Sequence, residues 1–134
     1  MQEQKTSSLR LNKGDVVYQQ WDTDVECMYD IRCGSIGLFE SYGTPDQTLL
    51  AELATEDFFG EMDMIEGTPR SHTAVALEDG TELIPITAET FRSYFSTRPA
   101  KVLLIMQNLS RRTRELTKRY IGLCRKIYND HQKQ

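Results

Sequence analysis

The first ninety residues contain short apolar runs, and one of them alternates apolar and polar positions with the period of two that is typical of β-strands. From Val25 to Cys33 the odd positions are apolar, which predicts a strand with one buried face. Similar short runs predict strands at 35–39, 48–53, 73–77 and 82–86. The dipeptide Asp79-Gly80 separates the last two runs and predicts a tight hairpin turn. Short strands separated by turn residues indicate a β-sandwich or barrel over about residues 8–86.

The pattern becomes helical after Ile86. Thr87 is a candidate N-cap and Glu89 follows it in the first turn, which predicts a short helix over about 87–96. Pro99 is suited to a first helical turn, and the helical pattern then continues to about Asp130. We therefore expect a single domain, 1–134, that is mainly β with C-terminal α: a β-roll, a short helix and a long helix at 98–130.

The long helix carries an apolar stripe with the spacing of a heptad seam. Its members are Val102, Met106, Leu109, Thr113, Leu116, Tyr120, Leu123 and Ile127. The stripe could pack on the domain's own strands, or it could pair with a second copy of the helix. At about 1.5 Å per residue the helix is roughly 45 to 50 Å long, which exceeds the width of a small barrel. This favours a parallel homodimer through the long helix.

The two parts of the chain differ in charge. Residues 1–97 carry 18 acidic and 6 basic side chains, whereas residues 98–134 carry 2 acidic and 10 basic ones. The basic face of the long helix consists of Arg111, Arg112, Arg114, Lys118, Arg119, Arg125 and Lys126. This face could attract nucleic acid or an acidic partner, but a solvated face that balances the acidic strands is the favoured interpretation.

Several functional classes are not expected from the composition. No apolar run approaches the roughly 18 residues of a membrane span, and the polar start lacks a signal peptide, so the sequence predicts a cytoplasmic protein without a membrane segment. Three cysteines without a CxxC pair predict reduced thiols packed as small hydrophobic residues. The two histidines, His72 and His131, are too few for a metal cluster or a nucleophile-activating pair, so we expect no enzyme, no metal and no cofactor.

A glycine–glutamate pair and an arginine–serine pair interrupt the strand pattern. The run Phe58-Phe59-Gly60-Glu61-Met62 is followed by Pro69-Arg70-Ser71. Charged side chains among strands are costly to bury without partners. One interpretation is a Glu61–Arg70 ion pair that closes a loop. The other is a ligand site, in which a guanidinium binds phosphate oxygens, a carboxylate accepts from hydroxyl groups and Gly60 lets the backbone approach.

These two segments, together with Asp15, Tyr29 and Gly34, resemble the cyclic nucleotide-binding domain, in particular that of the Crp/Fnr regulators. The similarity covers roughly residues 8–125. It implies a jelly-roll-like β-roll followed by short helices and a long dimerisation helix. It also implies a regulatory sensor whose ligand is a cyclic nucleotide, cAMP or cGMP.

The resemblance assigns roles to individual residues. Arg70 would bind the exocyclic oxygens of the cyclic phosphate, and Glu61 the ribose 2′-hydroxyl. Ser71 and the amide next to Gly60 would complete the phosphate cradle. Thr117, on the long helix, would reach the purine.

The sequence also departs from the family pattern. Asp63 and His72 stand where small residues are common, and Glu56 replaces a usual glycine. These changes keep open a ligand-free dimerisation or partner-binding module that retains the fold. After the long helix we find no helix-turn-helix of the Crp/Fnr type, so we expect no DNA-reading module in this chain and a protein partner for its signal.

Overall fold

The computed structural model describes residues 7–132. Within them the strands are β1 (Leu9–Leu11), β2 (Val16–Tyr18), β3 (Cys27–Cys33), β4 (Ser35–Glu40), β5 (Thr48–Ala54), β6 (Phe58–Phe59), β7 (Thr73–Ala76) and β8 (Thr81–Thr87). The helices are α1 (Glu61–Glu66), α2 (Ala88–Ser96) and α3 (Pro99–Gln132). The chain divides into two compact units, of which the first ends at Pro99 and the second begins at Ala100.

The strands of the first unit form two antiparallel sheets of four strands each. One sheet has the order β1-β8-β3-β6 and the other β2-β7-β4-β5. The mainly β, jelly-roll-like fold with C-terminal helices is thus confirmed, as two separate sheets instead of a closed barrel. The short strands β1, β2 and β6 were not predicted, because two or three residues are too few to show an alternating pattern.

The predicted hairpin at Asp79-Gly80 is wrong in its pairing. The turn does contain a positive φ, +76° at Gly80, but β7 and β8 belong to different sheets. β7 pairs with β2 and β4, and β8 pairs with β1 and β3. The turn residues therefore predicted correctly that the chain reverses here. They did not predict which strands β7 and β8 pair with, because those strands are distant in sequence.

The prediction of one buried face for β3 is also wrong. Tyr29 and Ile31 point into the core as expected, but Met28 and Asp30 are buried as well and Cys33 is exposed. For Asp30 the reason is α2, whose Tyr94 hydroxyl donates a hydrogen bond to the Asp30 carboxylate. β3 therefore lies between the inter-sheet core and a helix. The polar residue Asp30 is buried, although its place in the alternating pattern predicted that it would face solvent.

The core lies between the two sheets and brings β6 to a fixed place. Its buried members are Tyr29, Ile31, Ile36, Leu53, Phe59, Ala74, Ala76 and Leu83. Phe59 is the last residue of β6 and is only 1% exposed. Because Phe59 is anchored in this core, the Gly60-Glu61 pair that follows it begins at the edge of the core.

The helix α2 begins close to where the sequence placed it. Thr87 is the N-cap of α2: its hydroxyl accepts from the Thr90 amide at 3.2 Å, and the Thr87 amide donates to the Thr90 hydroxyl at 3.0 Å. The reciprocal pair is a capping box, in which Thr90 takes the place of the usual glutamate. The helix α1 is a short helix of 6 residues that follows Gly60.

The helix α3 begins at Pro99 and ends at Gln132, close to the predicted limits, and all of it but Pro99 belongs to the second unit. No residue of α3 is buried within the described chain, and the seam residues Met106, Leu116, Tyr120, Leu123 and Ile127 are each more than half exposed. None of the helices within residues 7–132 combines the length and hydropathy needed to cross a membrane.

The prediction that the cysteines are packed as small hydrophobic residues is wrong for two of the three. All three are free thiols, but Cys33 and Cys124 are exposed and only Cys27 is half-buried. Cys33 lies at the end of β3, beyond the part that the sheets and α2 cover, and its thiol contacts the Gly80 carbonyl at 3.4 Å.

Candidate functional site

Gly60 connects β6 to α1 in a conformation that favours glycine. Its φ of +77° is in the left-handed region, where a Cβ adds strain. An ideal Cβ on Gly60 would also lie 2.6 Å from Nη1 of Arg70. The glycine predicted for close approach of a ligand thus makes room, in this structure, for the guanidinium of Arg70.

Arg70 is buried and oriented by main-chain groups. Its side chain donates from Nη1 to the Gly60 carbonyl at 3.0 Å and from Nη2 to the Cys27 carbonyl at 2.6 Å. The guanidinium carbon lies 4.1 Å from the centre of the Tyr18 ring, a distance typical of cation–π contact. Arg70 is 2% exposed, and its Nε has no hydrogen-bond partner within the described chain. The guanidinium is therefore held in place by two of its five N–H donors.

Tyr18 is a site residue that the sequence analysis missed. Its ring lies beside those of Tyr29 and Phe59, with centroids 6.1 Å and 6.0 Å away. The guanidinium of Arg70 packs on the face of the same ring. Burial raises the pKa of Tyr18 well above its ordinary value, the charges of Asp63 and Glu61 raise it further, and Arg70 opposes them. Nothing in the local sequence marked this residue, because it lies in a three-residue strand without a motif.

Burial also raises the pKa of Tyr29, and a hydrogen bond with Cys27 adds to this shift. The Tyr29 ring stacks on Phe59 with centroids 5.1 Å apart. Both tyrosines are thus neutral aromatic supports for the charged residues around them.

Ser71 and Arg70 converge on the carboxylate of Asp63. The Ser71 hydroxyl donates to Oδ1 of Asp63 at 2.6 Å, and the Ser71 amide donates to Oδ2 at 3.3 Å. Nη1 of Arg70 lies 4.0 Å from Oδ2. Asp63 is 6% exposed, on α1. The departure noted at this position therefore puts a negative charge inside the predicted cradle.

Glu61 is the first residue of α1 and is 4% exposed. Its charge raises the pKa of Tyr18, as does that of Asp63, whereas the charge of Arg70 lowers it. The structure thus brings Gly60 and Arg70 next to Tyr18, and Ser71 joins this group through Asp63.

Thr117 lies in the second unit, on α3. Its hydroxyl donates to the Thr113 carbonyl one turn earlier, at 2.9 Å. This back-bond satisfies the hydroxyl within its own helix. A role in contact with a purine stays a prediction for this residue.

The other two departures occupy different environments. Glu56 has a φ of +77°, a left-handed conformation that explains why glycine is usual at this position. His72 is half-buried between the cradle and β7. Of the three departures, Asp63 is the one that the structure places against the guanidinium, with Oδ2 4.0 Å from Nη1 of Arg70.

A cavity of about 440 Å³ opens on another part of the first unit and is lined by Val16, Gln19, Gln20, Trp21, Glu40, Ser41, Tyr42, Thr44 and Thr73. The residues that line it do not include Gly60, Arg70 or Ser71, and the guanidinium of Arg70 is instead enclosed by Gly60, Cys27, Tyr18 and Asp63. Across residues 7–132 no three histidine, cysteine or acidic side chains form a group that could hold a metal ion.

The comparisons with known proteins agree on one family. The model of the cyclic nucleotide-binding domain matches residues 8–98. The cyclic AMP receptor protein of Thermus thermophilus is 30% identical over 103 residues, which are 77% of this chain and 47% of that protein. The chain thus spans about half the length of this relative.

Solved structures support the same likeness. The crystal structure of the Thermus thermophilus catabolite activator protein aligns with a TM-score of 0.71 at 27% identity, over 87% of this chain and 54% of that one. The cAMP-bound form of the EAL enzyme Bd1971 aligns with a TM-score of 0.59 at 25% identity, over 96% of this chain and 34% of that one.

Proposed function

The chain belongs to the cyclic nucleotide-binding domain family, and from this premise we propose that it is a regulatory sensor for a cyclic nucleotide, cAMP or cGMP. Arg70 and Ser71 bind the cyclic phosphate together with the amide next to Gly60. Glu61 accepts from the ribose 2′-hydroxyl. The role of the domain is thus regulation and not catalysis.

One observation carries the proposal: a buried arginine is fixed by main-chain carbonyls next to a serine hydroxyl and a serine amide. The two carbonyl bonds of Arg70, at 3.0 and 2.6 Å, use one hydrogen from each terminal nitrogen. A guanidinium has five N–H donors, so donors remain for a phosphate. Burying a charge in this way is costly, and binding an anion would offset the cost.

The ligand class is supported by the relatives. The receptor from Thermus thermophilus is named for cyclic AMP, and the EAL enzyme Bd1971 is described in a cAMP-bound form. A cGMP-bound form of the same enzyme aligns at 28% identity with a TM-score of 0.58. We therefore extend both cyclic nucleotides to this chain as candidate ligands.

We further propose that the domain forms a homodimer through α3 and signals through this helix. The seam residues of α3 are exposed along most of its length, and apolar side chains repeated every three or four residues are suited to knobs-into-holes packing. In this proposal Thr117 contacts the purine, and a protein partner reads the surface of the helix.

A second candidate function is a ligand-free dimerisation or partner-binding module. The observation that favours it is the hydrogen bonding of Ser71 to Asp63, since this carboxylate already satisfies donors that a phosphate would need. The two candidates differ in whether a cyclic nucleotide binds at all.

Calorimetric titration of the purified protein with cAMP and cGMP tests the proposal. We expect Arg70→Ala to weaken binding by about 2 to 5 kcal/mol, because it removes one partner of a buried charge pair. Arg70→Ala also removes the bonds to Gly60 and Cys27, so its fold must be checked by circular dichroism. Arg70→Lys keeps the charge but not the fork of donors, and we expect it to weaken binding about tenfold or more.

The matched control is Arg92→Ala, which removes an exposed arginine from α2. It should leave the affinity unchanged. If neither cyclic nucleotide binds the parent protein at millimolar concentration, the ligand-free module is the better description. Equal affinities of the parent and folded Arg70→Lys would show that binding does not use this cradle.

A further inference from the structure

The cradle of Gly60, Arg70 and Ser71 holds an anion that belongs to the protein. Both oxygens of the Asp63 carboxylate accept from Ser71, one from the hydroxyl at 2.6 Å and the other from the amide at 3.3 Å. Arg70 lies 4.0 Å from the same carboxylate. Asp63 and Arg70 are 6% and 2% exposed, so water screens this contact little.

These donors are the ones that the proposed function assigns to the ligand. A carboxylate and a phosphate both accept hydrogen bonds through oxygens that share a negative charge, and both match serine hydroxyls, amides and guanidinium groups. A phosphate and Asp63 therefore cannot use the Ser71 donors at the same time. Since two buried like charges at short distance are unfavourable, the phosphate has to displace the carboxylate.

We infer that Asp63 is a specificity-determining residue of the cradle: it acts as an internal anion that a phosphate ligand must displace. This inference rests on the proposed function of the site and adds that Asp63 sets how tightly the site binds a phosphate ligand. Asp63 lowers the affinity for every phosphate. The penalty is larger for a doubly charged phosphomonoester than for a singly charged cyclic phosphodiester, because repulsion increases with the charge of the ligand.

Asp63 has a second partner close by that can hold it after displacement. Thr68 lies two residues after the end of α1, and its hydroxyl is 3.4 Å from Oδ1 of Asp63. A small rotation of the Asp63 side chain can exchange the Ser71 hydroxyl for the Thr68 hydroxyl. The displaced carboxylate then stays near the cradle, which is why its charge still acts on a bound ligand.

The test compares cAMP and 5′-AMP binding to the parent, Asp63→Asn and Asp63→Ala by calorimetry. Asp63→Asn removes the charge and keeps the shape and an acceptor for Ser71, whereas Asp63→Ala empties the position. Melting curves identify a variant that fails to fold, and in that case only the folded variant is compared with the parent. The matched control is Glu66→Gln, which removes one carboxylate from the exposed end of the same helix.

We expect both Asp63 variants to bind cAMP about tenfold more tightly than the parent, and Glu66→Gln to stay within about twofold of it. The gain for 5′-AMP should exceed the gain for cAMP. If the parent binds cAMP and both folded variants bind it equally or more weakly, the inference is overturned while the proposed function stands. An equal gain for both ligands overturns the charge selectivity.

Two further outcomes separate the two proposals. If the variants bind cAMP and the parent does not, Asp63 excludes the ligand: the inference stands, and the proposed sensor function of this chain fails. If neither the parent nor a folded variant binds cAMP, the cradle does not take a phosphate even without its internal anion, and both proposals are overturned.

Discussion

Tyr18 is the residue on which the charges of the site act together. The guanidinium of Arg70 lies over its ring, and the charges of Glu61 and Asp63 act on its hydroxyl. The ring is needed for packing against Tyr29 and Phe59, whereas the hydroxyl introduces a titratable group into a buried place. This combination has a consequence for stability at alkaline pH.

We expect the free energy of unfolding to fall above about pH 10, and Tyr18→Phe to reduce this fall. The pKa of Tyr18 is raised in the folded protein, mainly by burial, while the unfolded chain has the ordinary value of 10.0. Below that pH both states keep the proton, and above it only the unfolded state loses it, which favours unfolding. The slope is about 1.4 kcal/mol per pH unit for each such proton.

Urea unfolding of both proteins between pH 9 and pH 11 measures this difference. Tyr128→Phe, at an exposed position on α3, serves as the control and should follow the parent. Parallel curves for the parent and Tyr18→Phe would contradict the raised pKa.

At the scale of elements, α2 covers Asp30 on the second face of β3. Tyr94 and Phe95 are the buried residues of this helix, and they contact Asp30 and Phe58 respectively. The capping box of Thr87 and Thr90 fixes where the helix begins. Because α2 has only 9 residues, its first turn is a large part of it, and the cap matters more than in a long helix.

We expect Thr87→Ala to lower the free energy of unfolding by about 1 kcal/mol, since it removes the acceptor of the Thr90 amide. Ser93→Ala is the matched control: it removes an exposed hydroxyl from the same helix, and its effect should stay within about 0.5 kcal/mol. Chemical denaturation measures both. A Thr87→Ala variant as stable as the parent would mean that tertiary contacts alone hold α2.

At the scale of the whole molecule, the proposed sensor needs its two units to act together. The cradle belongs to the first unit, and the seam and Thr117 belong to the second. A ligand that contacts both units would favour one arrangement of them over others. Binding and dimerisation would then be linked, and the linkage must be reciprocal.

We expect saturating cAMP to change the dimer dissociation constant by about 5- to 150-fold, the usual size of such coupling. Leu116→Asp with Leu123→Asp should dissociate the dimer, because it buries like charges in adjacent layers of the seam. Sedimentation with and without cAMP measures both effects. The control pair is Gly122→Asp with Asn129→Asp, which adds the same charge to α3 outside the seam.

If the parent protein is monomeric at tens of micromolar, the predicted dimer through the seam of α3 is wrong. A dimer whose dissociation constant does not respond to bound cAMP would leave a binding domain without the proposed coupling. In that case Thr117 would have no role in signalling.

The sequence by itself determined the features that depend on near neighbours along the chain. Thr87 caps α2, Pro99 begins α3, and Gly80 adopts a positive φ, because caps, first turns and tight turns are decided within a few residues. The short cassette from Gly60 to Ser71 identified the family, because the spacing of a motif is visible in one dimension.

Only the tertiary structure decided the features that depend on residues distant in sequence. β7 and β8 pair with distant strands, Asp30 is buried where Tyr94 of α2 contacts it, and the ring of Tyr18 lies against the guanidinium of Arg70, 52 positions further along the chain. The sequence showed that Asp63 is unusual, but not that its carboxylate accepts from Ser71. The reason is physical: burial and ionic contacts depend on distances in space, and an alternating pattern reports only the periodicity of one strand.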